Sequence, residues 1–342
     1  MRFVVPAASS EEFGHGTRIL NSAMVSTILL ATDFSDSAAL AHLYTEYLAV
    51  TLKASVILLH VREHSSSVKT GLNEREIETR LQTLQEKFGE CAVPVTVHRS
   101  TGNPGHEILA AAHQLDADMI SMGMQGRAHL PYGLIGSTAH TVTTSGPCPV
   151  LTVPLASKET SSYACSAPEG VRIQRILAPV DFSQPSLDSL EWAIHLAHRL
   201  RADLVLLHVL EPAHADWNLD RMQGAGHVRE QWEARLGKLT GLMKSLGVSS
   251  PYDLRTGVPS DSILAGGLQH RCDLIVMGTH GRQGRQQGHV GSVAAGVLKQ
   301  AICPVLTVKN HKLAGGIRPA IENVLSKNER DHEERRQNSN IR

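Results

Sequence analysis

The chain repeats itself, and that repeat limits its fold more than any other feature. Ile28-Leu-Leu-Ala-Thr-Asp33-Phe-Ser35 returns as Ile176-Leu-Ala-Pro-Val-Asp181-Phe-Ser183, and Leu58-Leu-His-Val61 returns as Leu206-Leu-His-Val209, both 148 residues on. Farther along, the spacing becomes 155. Thr101-Gly-Asn-Pro104 matches Thr256-Gly-Val-Pro259, Gly123-Met-Gln-Gly126 matches Gly278-Thr-His-Gly281, and Cys148-Pro-Val150 matches Cys303-Pro-Val305. The change of spacing falls between about 63 and 80, in a loop. Two copies of one domain stand in tandem, which suits 342 residues at roughly 150 per domain.

Each copy alternates strand and helix. Thr27 to Thr32 is a short aliphatic run, and Ser35 or Asp36 can cap the helix after it. On that helix Leu40, Leu43, Tyr47 and Leu48 recur at helical spacing, as do Leu187, Leu190, Ile194 and Ala197 in the second copy. Ser55 to Val61 is near-continuously apolar, as a strand buried on both faces should be. A polar-faced helix at 73–88 leads to strands at Val93–His98, Asp118–Met122 and Val150–Val153. Five strands and four helices per copy predict an α/β fold: two tandem doubly wound domains, each a five-stranded parallel sheet of order 3-2-1-4-5 with helices on both faces. Aromatics are only 4% of the chain, so the cores must be aliphatic. The expected divisions are an unstructured extension over 1–23, a first domain over 24–155, a Ser-rich linker over 156–172, a second domain over 173–309 and a charged, disordered or partly helical tail over 310–342. Met24 offers an alternative start.

The chemistry signal is G-x-x-G, nine residues, then G-[ST]: Gly123, Gly126, Gly136 and Ser137, and again Gly278, Gly281, Gly291 and Ser292. Such a pattern arises by chance on the order of once in ten thousand windows at average glycine usage. Glycines let backbone N–H groups approach an anion, and the closing Gly-Ser opens a helix whose N-terminus favours phosphate. The loop is neither a P-loop nor a dinucleotide fingerprint, which would follow the first strand. In a 3-2-1-4-5 sheet it lies at the switch point, where open α/β sheets bind ligands. Asp33 and Asp181, at the ends of the first strands, can accept ribose hydroxyls there. Val61 and Val209, at the ends of the second, flank an adenine ring. On the competing reading, the glycines allow only close helix–strand packing and Asp33 only caps a helix.

These residues resemble the universal stress protein family in its tandem form, over about 27–155 and 173–309. The marks are Thr32-Asp33-Phe-Ser35 and Val180-Asp181-Phe-Ser183, both Leu-Leu-His-Val strands, both glycine motifs and both Cys-Pro-Val strands. The resemblance implies a stress-response protein that binds ATP and acts through conformational or assembly state. It implies phosphate contacts from Gly123, Gly126, Gly136, Ser137 and Thr138, and from Gly278, Gly281, Gly291, Ser292 and Val293. Asp33 and Asp181 hold the ribose on this view, and the adenine pockets include Ala31 and Val61, then Pro179 and Val209. Met122 and Met277 before the loops, and Arg127 and Arg282 after Gly126 and Gly281, complete the set; Mg²⁺ arriving with ATP would lie near Ser137 and Ser292. Two departures stand out. Ala31 occupies a position where the family commonly has Pro. The second spacer, Arg282 to Val290, carries two extra glycines and lacks the Leu130, Leu134 and Ile135 that anchor the first, so it is either looser or adds arginine contacts to phosphate.

Composition removes other classes. Lys plus Arg and Asp plus Glu both total 33, which lacks the basic footprint of a nucleic-acid binder. No apolar run approaches the roughly 18 residues of a membrane span. Five scattered cysteines without a C-x-x-C pair argue against a zinc knuckle and fit a reducing cytoplasm. Among the 19 histidines, His195 and His198 share a helix at i, i+3 without a metal-like partner, and read as surface or packing residues. His60 and His208 read as core or site-lining. No nucleophile elbow is present, and nothing but Asp33 or Asp181 could serve as a base, so any ATP hydrolysis is expected to be slow. Two rival readings are a scaffold that works by protein contacts alone and an enzyme that cleaves a nucleotide. Nucleotide content separates the first, and product formation the second. The final strands, Val150–Val153 and Val305–Val308, are exposed aliphatic edges. Their antiparallel pairing within the chain is expected, leaving the full chain monomeric through this edge or a homodimer by another surface, while the first domain alone (24–156) would dimerise by its freed edge.

Overall fold

The structure is a computed structural model, and it describes residues 20, 24–63, 73–126, 134–155, 171–211, 225–281, 290–309, 313 and 316–326. Strands β1 (Thr27–Ala31), β2 (Ser55–Arg62), β3 (Val95–Thr101), β4 (Met119–Gly123) and β5 (Val150–Val153) form the first half. Helices α1 (Asp36–Leu52), α2 (Glu74–Glu90), α3 (Pro104–Gln114) and α4 (Ser137–Ser145) lie between them. The second half repeats this with β6 (Arg175–Pro179), β7 (Asp203–Leu210), β8 (Tyr252–Thr256), β9 (Leu274–Gly278) and β10 (Val305–Val308). Its helices are α5 (Gln184–Leu200), α6 (Ala225–Ser245), α7 (Pro259–Gln269) and α8 (Ser292–Gln300), and a ninth, α9, covers 318–326.

The strand order is β3-β2-β1-β4-β5-β10-β9-β6-β7-β8. Each half is therefore a parallel 3-2-1-4-5 sheet, as the repeat predicts. At the centre β5 and β10 run antiparallel, with Leu306 opposite Leu151 and Val305 opposite Thr152. Two cross-seam bonds cap helix ends: Lys309 Nζ donates to the Thr144 carbonyl of α4 at 2.7 Å, and Arg199 donates to the Leu52 carbonyl of α1 at 3.4 Å. A positive side chain at a helix C-terminus is favoured by the dipole.

Central strands are buried on both faces, which is why they read as unbroken aliphatic runs. Ile28 and Leu30 face α1 and α2 in a cluster that continues across the seam to Leu190, Ile194 and Leu306. On the other face each copy keeps its own cluster beneath α3 and α4 or α7 and α8. Met124 crosses there, packing with Leu177 and Met277 of the second copy. At the opposite end of the sheet a carboxylate ties β1 to β4. Asp118 accepts from the N–H groups of Ser26 and Thr27, and Asp273 repeats this with Gln174 and Arg175.

Helix starts follow the expected chemistry. Ser35 accepts from Ala38 N–H and Ser183 from Ser186 N–H, a cap worth about 1 kcal/mol. Asn73 and Glu76 form a capping box on α2.

Two expectations need correction. The buried face of α1 is Ala38, Ala41, Tyr44, Thr45, Leu48, Ala49 and Leu52, whereas Leu40, Leu43 and Tyr47 are only half-buried. Small residues let the helix lie close to the sheet, and the larger ones sit at its flank. Leu20, inside the extension read as unstructured, is fully buried in the shared cluster. The charged tail takes the partly helical alternative over 318–326; it contributes Ile317 and Ile321 to that cluster, and its Arg318 pairs with Asp188 at 2.8 Å, both side chains under 10% exposed. The linker over 156–170 and the loops at 64–72 and 212–224, where the two copies differ in length, lie outside the described residues.

Candidate functional site

At the end of β1 the chain turns through Asp33, whose Oδ1 accepts the Ser35 N–H at 3.0 Å. Asp181 does the same for Ser183 N–H at 2.9 Å, and Ser183 Oγ donates to it at 2.5 Å. The helix caps are Ser35 and Ser183, so neither aspartate is itself the cap. Each aspartate's Oδ2 faces the second loop glycine. A Cβ on Gly126 would stand 3.2 Å from Asp33 Oδ2, and one on Gly281 would stand 2.9 Å from Asp181 Oδ2.

The glycines divide by role. A Cβ on Gly123 would stand 2.7 Å from the Ala38 nitrogen, and one on Gly278 would stand 3.0 Å from the Pro185 carbonyl oxygen. Those contacts are backbone at the starts of α1 and α5, so the first glycine of each motif serves close helix–strand packing. That packing is what the competing reading expects of this residue, and Gly278 also lines a cavity in the second copy. Gly136 and Gly291 sit where the loop folds back on itself. Their N–H groups donate to the carbonyls of Met124 and Thr279 at 3.0 and 2.8 Å, and a Cβ would approach the same oxygens at 3.1 and 3.0 Å.

Both closing glycines are helix N-caps with no side-chain cap. The first intrahelical bonds run from His140 N–H to Gly136 and from Ala295 N–H to Gly291. The N–H groups of Ser137, Thr138 and Ala139, and of Ser292, Val293 and Ala294, therefore have no intrahelical partner. A partial positive charge points out of each helix end.

In the second copy these parts enclose a cavity of about 480 Å³. Pro179, Asp181, Val209, Met277, Gly278, Gly281, Gly291, Ser292 and Val293 all line it, so the structure gathers every expected residue of that copy except Arg282. Arg282 and Arg127 lie outside the described residues. The volume is in the range of small-ligand pockets, about 300–1,000 Å³. In the first copy Ala31, Val61, Met122, Ile135 and Ala139 pack in one apolar cluster, and Ser137 and Thr138 line a cavity of about 430 Å³ with Asn103 and Glu63. Of the residues expected to anchor the first spacer, Ile135 packs against both far-side clusters, Leu134 is 46% exposed, and Leu130 lies outside the described residues.

Two features escaped the sequence reading. Ser37 Oγ donates to the Gln125 carbonyl, lacing the first glycine loop to α1. In the second copy Pro185 occupies the Ser37 position, and His280, its Nδ1 2.9 Å from Thr279 Oγ1, lines the cavity. The repeat offset alone could have flagged the Ser-to-Pro exchange. Next to Asp33, His42 is buried with its Nε2 2.9 Å from Thr32 Oγ1. Burial, then Lys87, pushes His42 down to about 4, with Asp33 pulling the other way. No cluster of three or more His, Cys, Asp or Glu able to hold a metal occurs among the described residues. None of the described helices is long and apolar enough to cross a membrane.

Comparison with known proteins places this architecture. The universal stress protein family matches residues 24–154 and 172–309. Universal stress protein MJ0531 of Methanocaldococcus jannaschii is 32% identical over 146 residues, covering 41% of this chain and 84% of its own. Universal stress protein Slr1230 of Synechocystis is 23% identical over 312 residues, covering 82% of this chain and 99% of its own. Among solved structures, a universal stress protein from Archaeoglobus fulgidus shares the fold with a TM-score of 0.61 at 20% identity, over 83% of this chain and 98% of that one. With the family matched twice over most of its length, the chain belongs to the universal stress protein family, in tandem form.

Proposed function

We propose that the chain binds adenine nucleotide, ATP in the first instance, at the ends of β1 and β4 in the first copy and of β6 and β9 in the second. The observation that carries this reading is the second-copy cavity, which brings an acidic side chain, an apolar wall and an uncapped helix N-terminus to one place. Those are the parts a nucleoside polyphosphate needs: hydroxyl acceptor, base slot and anion site. Asp181 takes the ribose hydroxyls, Val209 and Pro179 border the base, and the N–H groups of Ser292 and Val293 take phosphate. Asp33, Val61, Ser137 and Thr138 do the same in the first copy. Mg²⁺ would be held chiefly by the phosphates, with the Ser137 and Ser292 hydroxyls as the protein's contribution. Bound nucleotide biases a conformational or assembly state in a cytoplasmic stress response.

The paired strands β5 and β10 are proposed as the working arrangement in solution. Cysteines placed at Thr152 and Val305, which face each other across the seam, should then cross-link within one chain, and a purely intermolecular product would contradict this. For the nucleotide, protein purified under native conditions is denatured and its released small molecules are chromatographed. Adenine nucleotide approaching one per copy is expected. Nucleotide-free protein that also fails to take up added ATP would defeat the reading.

A further inference from the structure

The residue after each site aspartate is a phenylalanine in the left-handed region, with φ 62° at Phe34 and 62° at Phe182. A bulky side chain is rare there and persists only where its surroundings fix it. Both rings lie against a histidine and an arginine, tilted at 33° in the first copy and edge-on at 69° in the second. Phe34 lies 5.0 Å from the His60 ring with the Arg80 guanidinium 5.7 Å above it. Phe182 lies 5.3 Å from His208 with Arg235 at 5.4 Å. In the second copy Trp232 completes the stack, 5.2 Å from Phe182 and 4.3 Å from His208.

The same histidines grip the residue on the other side of the aspartate. His60 Nδ1 is 2.8 Å from the Thr32 carbonyl oxygen, and His208 Nδ1 is 2.6 Å from that of Val180. A carbonyl only accepts, so Nδ1 carries the proton in both rings. Each aspartate is thus bracketed, with the carbonyl before it bonded to the histidine and the ring after it packed against the same histidine. With Oδ1 engaged by the serine N–H, the bracket leaves Oδ2 facing Gly126 or Gly281.

We infer that His60 and His208 are positioning residues, which aim the Asp33 and Asp181 carboxylates at the ligand through the strained phenylalanine between them. This rests on the ribose role proposed above and goes beyond it, because it assigns the orientation of that acid to a β2 or β7 histidine that need not touch the ligand. A histidine that merely fills the core would affect folding stability and leave ligand discrimination alone. One that aims the aspartate must affect how well the protein tells a ribose with hydroxyls from one without.

The test compares dissociation constants for ATP and 2′,3′-dideoxy-ATP in the full chain. The intact protein should prefer ATP about tenfold or more. His60→Phe with His208→Phe keeps ring packing and removes the Nδ1 donor, and the preference should collapse toward one with the fold intact. His60→Asn with His208→Asn restores a donor near the Nδ1 position and should recover most of it. An unchanged preference in the folded phenylalanine variant overturns the inference, as does an equal loss of affinity for both nucleotides. If that variant does not fold, Arg80→Met with Arg235→Met lifts only the cations from the rings. A reduced preference there supports the inference, and an unchanged one overturns it. An intact protein that binds ATP without preferring it would defeat the ribose reading itself, which is a separate result.

Discussion

On α1, Leu40, Leu43 and Tyr47 stand half-buried, while 148 residues on, at the same places of α5, stand Asp188, Glu191 and His195, all buried. The first set is apolar and partly wet; the second is polar and dry. The tail makes the difference. The segment from Gly316 through α9 lies on α5, with Ile317 and Ile321 joining the core and Arg318 bonding Asp188 through its side chain and Glu191 through its N–H. One copy of the domain thus leaves this face as a flank, and the other turns it into a docking site for its own C-terminal segment. The polar set is incompletely satisfied. Glu191 Oε2 and both ring nitrogens of His195 have no hydrogen-bond partner among the described residues. The two copies thus diverge on a helix face away from the glycine loops.

The largest effect should come from breaking that dock. Arg318→Ala leaves Asp188 buried and unpaired, and loss of a buried partner costs about 3–5 kcal/mol. Chemical denaturation of the full chain should show the second half unfolding earlier. Giving α5 the residues of α1 sharpens the comparison: Asp188→Leu, Glu191→Leu and Arg318→Met together should return to near or above the starting stability. If the triple variant is as unstable as Arg318→Ala, the dock depends on more than charge pairing.

Acid should find the same face. Burial holds His195 down to about 4, with His198 adding to the effect, and His42 is held at a similar value. These groups stay neutral in the fold while the unfolded chain takes up protons below about 6.5, so stability is full above that pH. It falls as pH drops from about 6.5 to about 4, by on the order of 3 kcal/mol per histidine, and this contribution then levels off. Burial raises Glu191, which works in the opposite direction as it protonates. His195→Tyr, the residue of the first copy, should flatten the profile measured by denaturation at stepped pH. An unaltered slope would remove His195 from the account of acid lability.

A smaller effect is expected at the sites. Asp33→Ala or Asp181→Ala should weaken ATP by about 1.5–3 kcal/mol, the worth of a hydrogen bond to a charged group. The dideoxy nucleotide should be affected less. Equal losses in calorimetric titrations would argue that the aspartates act only on the loop.

Much of this was legible because the signals are local and repeated. β1, β2 and β5 are buried on both faces, so their aliphatic runs carry no competing period, and Val150–Val153 is found at its predicted bounds. The glycine motif and the aspartates reported their own positions. Close packing at Gly123 was legible only as a rival reading, since the neighbours that demand glycine are Ser37 and Ala38 on another element. The face of α5 was hidden for a related reason. It is enclosed from Ser186 to Ala197, so the Leu187, Leu190, Ile194 and Ala197 stripe marks one buried side and nothing apolar marks the other. The docking of the tail was hidden because Arg318 finds its partner 130 residues away. Ile317, Ile321 and Leu325 at helical spacing were the available clue.

The central claim is that each copy holds one nucleotide at its glycine loop, and calorimetric titration with ATP tests it most directly. Gly136→Val and Gly291→Val put a branched side chain against the Met124 and Thr279 carbonyls. The intact protein should bind two ATP, each single variant one, and the double variant none, all with the fold retained by circular dichroism. A folded double variant that still binds two ATP would contradict the claim outright.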